Sequence, residues 1–87
     1  MTEPDDAFWN LADSFVELAN RHIDNAPAGK VSAALMYAAA RFNCFTLATV
    51  SPDLATVHDE ALNYLVGQYT KMVRENLLDK LVKEDDA

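Results

Sequence analysis

Cysteine is all but missing from this chain: Cys44 stands alone, so no intramolecular disulfide can form and another device must hold a small core together. A lone thiol inside an apolar stretch reads as a small buried hydrophobe. Cations are scarce too, seven against fourteen acids for a formal net charge of −7. Nucleic-acid recognition needs a basic stripe, which seven scattered cations do not make, so no nucleic-acid partner is expected. The opening Met1-Thr2-Glu3-Pro4-Asp5-Asp6 is acidic where a secretory signal is basic, and the expected location is the cytoplasm.

Metal and catalytic motifs are missing as well. Neither Glu-x-x-His nor His-x-x-x-His occurs: His22 lies five residues after Glu17, and His58 is followed directly by Asp59 and Glu60, which point elsewhere around a helix. No metal site and no cofactor are expected. Ser32 and Ser51 read as helix-start residues and Ser14 as exposed, with no glycine-rich elbow near any of them. No pair of titratable groups stands out, so a non-enzyme is expected.

What is present is helical periodicity. Eighty-seven residues make one domain, 1–87, of the size that buries about 60–65% of its unfolded surface. Self-association is the remaining way to enlarge so modest a core. Two breaks punctuate the chain. Asn25-Ala26-Pro27-Ala28-Gly29 combines a lost backbone donor with a residue that permits unusual backbone angles. In Ser51-Pro52-Asp53, Ser51 reads as an N-cap, Pro52 as the first helical position and Asp53 as charge at the positive end of the helix dipole. Helices are predicted over 5–24, 30–49 and 52–83: an all-α three-helix bundle with a long C-terminal helix.

Phe8, Leu11, Phe15, Leu18 and His22 recur on one face of the first helix, widened by Ala12 and Ala19, with Trp9, Val16 and Ile23 on a flanking line. The second helix is apolar almost all the way round, which predicts burial at the centre of a bundle. Its length would span a bilayer, but Arg41 and Asn43 lie at its middle and Ser32, Thr46 and Thr49 dilute it, so no membrane partner is expected. In the third helix Leu54, Val57, Ala61, Leu65, Tyr69 and Met72 form one stripe, whereas Leu77, Leu78, Leu81 and Val82 point nearly opposite to it. Either the helix breaks near Arg74-Glu75-Asn76, or its last turns bury against something other than the first two helices. About 30 residues span roughly 45 Å, so this helix overhangs its neighbours.

The run Gly29-Lys30-Val31-Ser32-Ala33-Ala34-Leu35-Met36-Tyr37-Ala38-Ala39-Ala40-Arg41-Phe42-Asn43 resembles the signature of a family of short bacterial proteins known only as a domain of unknown function. Tyr64, Tyr69, Met72, Glu75, Asn76 and Leu77 fit its later part. The resemblance implies a cytoplasmic bacterial helical protein, with no activity, cofactor or catalytic residue attached.

Arg41 is the sharpest single signal, because its face of the second helix carries no other charge. A guanidinium there snorkels outward or finds an acid, and the predicted partner is Asp13, Glu17 or Glu60. The functional alternative is a small anionic ligand held by Arg41 with Tyr37, Asn43 and Tyr69. The leading expectation is a non-enzymatic helical interaction module that self-associates as a dimer through Trp9, Leu77, Leu78, Leu81 and Val82. An unidentified protein partner is also open.

Overall fold

The computed structural model of the chain describes residues 4–51 and 53–86, with side chains described as far as residue 81. Among them are three helices and no strand: α1 is Asp6–Ile23, α2 is Ala28–Val50 and α3 is Leu54–Asp86. The architecture is all-α, as the periodicity requires, and each boundary lies within three residues of its predicted place. Pro52 and the Val82 side chain lie outside the described residues.

The first cap is Asp5. Its backbone is extended (φ −111°, ψ −177°) and its Oδ1 accepts the Phe8 amide at 2.9 Å, satisfying one of the donors that a helix start leaves open. At the other end the Asp24 amide donates to the Arg21 carbonyl at 3.3 Å and the Asn25 amide to that of His22 at 3.0 Å, a tightened last turn. Pro27 then sits just before α2, where its missing N–H costs nothing, and its carbonyl accepts the Val31 amide at 3.1 Å. Gly29 is an ordinary helical residue: no glycine among the described residues has positive φ. The turn needs only Pro27, and the expected use of Gly29's freedom is not found.

The second break also differs from expectation. The Ser51 amide donates to the Leu47 carbonyl at 2.9 Å, so Ser51 prolongs the hydrogen-bond ladder of α2 rather than capping α3. Asp53 takes the place beside α3. Its carbonyl accepts the Thr56 amide at 3.2 Å and its Oδ2 the Thr56 hydroxyl at 2.6 Å, tying the first turn together. The irregularity in α3 is at Val57 (φ −105°, ψ 15°), not near Arg74-Glu75-Asn76, where the helix runs on. There the Asn76 side-chain amide donates to the Met72 carbonyl one turn back, at 2.8 Å, so its local hydrogen bonding decorates the helix instead of interrupting it.

The chain divides within α2 into two compact units, Met1–Phe45 and Thr46–Ala87. In the first, α1 and most of α2 form a helical hairpin. In the second, the end of α2 leads into α3, whose Leu54, Val57, Ala61, Leu65 and Gln68 form a half-buried line. Tyr69 and Met72, expected in that line, are exposed.

Burial is where expectation and structure part most clearly. Val31 is the one buried residue among those described. The expected buried central helix is not found: Tyr37, Phe42 and Phe45 of α2 are each about two-thirds exposed (64%, 66% and 66%). An all-round apolar composition calls for burial, and within its own unit α1 covers one side of α2. Cys44, expected as a buried hydrophobe, is exposed for the same reason.

Candidate functional site

Three surfaces hold the residues that composition singled out. The first is a groove of about 380 Å³ along the hairpin, lined by Phe15, Leu18 and Ala19 of α1 and by Val31, Ala34, Leu35 and Ala38 of α2. Small alanines every fourth position on α2 leave room that larger side chains would fill. His22 and Lys30 line the groove at its turn end, beside Ala26, and nothing else in the lining is titratable.

The second surface is the face of α2 formed by Ala34, Tyr37, Ala38, Arg41, Phe42 and Phe45. Arg41 is exposed here and has no carboxylate within ion-pair distance among the described residues, so the predicted pair with Asp13, Glu17 or Glu60 is not found. Instead the guanidinium leans on the ring one turn earlier, 5.0 Å from the Tyr37 centroid, and its Nη2 donates to the Tyr37 Oη at 3.4 Å. The physical reason is local. An i, i+4 neighbour is always within reach, whereas an acid on another helix must be brought there by packing that this face lacks. Asn43 is two residues, or about 200° around the helix, from Arg41 and has its own interaction. Tyr69 belongs to α3 and to the other unit. Within the first unit Tyr37 and Arg41 are brought together, and Asn43 is not.

An exposed arginine resting on its own helix predicts a mild substitution. Arg41→Met keeps the stem and strands no acid, so it is expected to change stability by no more than about 0.5 kcal/mol, a melting shift of roughly 2–4 °C for a chain this size. Thermal denaturation followed by circular dichroism measures it; a fall beyond about 10 °C would restore a buried acid partner.

The third surface is on α3. Leu62, Val66, Tyr69, Leu77 and Leu81 are all at least half exposed, and with Val73 they recur every three or four residues, which places them on one side of the helix. This side lies well around from the half-buried line, so α3 carries two apolar faces. The second stripe is present in the sequence as the spacing 62-66-69-73-77-81, overlaid on the first so that neither stands out by periodicity alone. Leu78 is exposed as well, next to the stripe's end. Trp9, the aromatic named for association, is half exposed and stacks edge-on with Phe8, centroids 5.0 Å apart at 81°.

No group of three His, Cys, Asp or Glu side chains converges among the described residues. His58 Nδ1 and Asp59 Oδ1 lie 3.1 Å apart, a pair between neighbours in sequence with both side chains largely in water, where such contacts contribute little.

Residues 8–81 match the family model described as Protein of unknown function (DUF3144). The chain belongs to that family. The match runs from Phe8, which opens the apolar face of α1, to Leu81, which closes the exposed stripe of α3, and so takes in all three helices. No curated protein matches the chain, and no solved structure matches it. Family membership therefore brings a fold-length pattern without a chemistry.

Proposed function

We propose that the chain is a non-enzymatic helical interaction module of the cytoplasm that works as a symmetric homodimer. Its apolar surface is the observation that supports this reading. Phe15, Tyr37, Phe42 and Phe45 of the hairpin are each more than half exposed, and so are Leu62, Leu77, Leu78 and Leu81 of α3; apolar surface grouped in this way marks interaction sites. Trp9, Leu77, Leu78 and Leu81 belong to the surface that pairing would cover, and Val82 is assigned to it from sequence alone.

A membrane is the competing cover for α2, which is long and apolar enough to cross one by length and composition. Arg41 at mid-helix weighs against it, at about 2.5–3.5 kcal/mol for a central arginine, with seven alanines contributing little in return. The anion-binding alternative centred on Arg41 is weaker than the dimer, since its one cation is already engaged with Tyr37 and Asn43 is turned away.

Light scattering coupled to gel filtration tests the reading. Twice the chain mass is expected at micromolar concentration. Monomer mass across the accessible range would refute it, and monomer mass together with sedimentation on phosphatidylglycerol vesicles would transfer the role of partner to a lipid surface.

A further inference from the structure

Dimerisation alone leaves open which surfaces meet, and two features of the chain are complementary. The α1–α2 groove is a concave apolar track with Lys30 and His22 lining its turn end; Arg21 and the cap residue Asp24 flank them in sequence, so Arg21, Asp24 and Lys30 leave that end a formal +1. The stripe of α3 is a convex apolar ridge, the exposed Leu62, Val66, Tyr69, Leu77 and Leu81 with the half-buried Val73 among them, that runs toward an end where Asp79, Glu84, Asp85 and Asp86 outnumber Lys80 and Lys83 for a formal −2.

We propose, resting on the homodimer reading, that the α3 ridge of one copy seats in the α1–α2 groove of a second copy, twice in each symmetric dimer. Charge sets the direction: the acidic end of α3 lies at the cationic turn end of the groove, so the seated helix runs antiparallel to α2. Sizes then interlock along the track, with Leu77 and Val73 entering where Ala34 and Ala38 leave space, and Tyr69 and Val66 covering the aromatic end of α2 near Phe42 and Phe45. Length fits this exchange. At 33 residues α3 extends about 50 Å, against about 27 Å for the 18 of α1, so it has ridge enough to serve a partner. The isologous arrangement closes after two copies and leaves no open edge for further growth.

The seat can be read by cross-linking. In a Cys44→Ser background, Leu35→Cys and Leu77→Cys place one thiol in the groove and one on the ridge, both at exposed positions. Treatment of the dilute protein with a flexible bifunctional maleimide is expected to give a covalent dimer of twice the chain mass under denaturing conditions, in several-fold excess over any internally bridged monomer. An internally bridged monomer as the main product would overturn the exchange, with α3 seated on its own hairpin. Unlinked chains that still scatter light as a dimer would overturn it as well, with other faces forming the dimer. Monomer mass in the untreated parent chain would remove the dimer reading itself, so the failures are distinguishable. If that pair fails to fold by circular dichroism, Ala38→Cys with Val73→Cys interrogates the same seat one turn along, with the same outcomes.

Discussion

Leu77→Asp combined with Leu81→Asp is expected to convert the dimer to monomer over the micromolar range, raising the dissociation constant at least about 100-fold. The magnitude follows from what each change does. A leucine at a covered interface contributes roughly 1.5–3 kcal/mol of apolar burial, and an unpaired carboxylate in its place adds a desolvation cost of its own. Because both substitutions act in each of two seats, a loss of about 3 kcal/mol is a conservative sum, and every 1.4 kcal/mol is tenfold in affinity. Exposed positions on α3 should tolerate the change locally, so helical circular dichroism should persist at concentrations where the parent is already dissociated. Added negative charge is itself repulsive for a chain at −7, and Lys71→Asp controls for it. That substitution changes the net charge by the same two units on the opposite side of the helix, and it should leave the dissociation constant within about tenfold. Equal weakening by both variants would make the effect one of charge and not of the ridge.

Val31→Asp should have the other large effect, this time on folding. Val31 is the one buried side chain among those described, at the start of α2 where the ladder begins from the Pro27 carbonyl. A carboxylate there loses its hydration without gaining a partner, and lost valine packing is added to that cost. About 3–5 kcal/mol of destabilisation is expected, a large part of what an 87-residue domain has to lose. Urea titration followed by circular dichroism would show the midpoint falling sharply, or no cooperative transition at all. Val31→Ala, removing two methyl groups without adding charge, should cost about 1–2 kcal/mol. If Val31→Asp unfolds no more readily than the parent, the hairpin is not held at this point.

Helix number and extent were legible in the sequence because the signals are local. Asp5, Pro27 and Asp53 act on backbone donors within one turn, and apolar residues recur every three or four positions wherever a helix forms. Membership of the family was legible in the Gly29–Asn43 run for the same reason, a contiguous pattern that needs no tertiary context. Arg41 was not. Its face lacked charge, which calls for a partner, but the sequence cannot say whether a face is covered, and an uncovered face leaves Tyr37 as sufficient company. Ser51 and Val57 fall in the same class. Whether a serine ends one helix or begins the next turns on a few degrees of backbone rotation, which the geometry of the join decides and the residue type does not. Burial of α2 is not legible either, since apolar composition reports what a helix must bury without naming the molecule that supplies the cover.

Val31 is the one buried residue among those described, so the stability of the chain turns on what else covers its apolar faces. If the missing cover comes from a second copy, the covered form obeys mass action, so each tenfold dilution removes about 1.4 kcal/mol from its advantage over separate helical chains. In a cell, newly made chains would wait as open hairpins, available to proteases, until their number was high enough to pair. Abundance would then be self-reinforcing, with scarce copies cleared quickly and plentiful ones long-lived, and half-life would depend on synthesis rate as well as on sequence. The nearly bare α2 would in this way make the amount of the protein a determinant of its form.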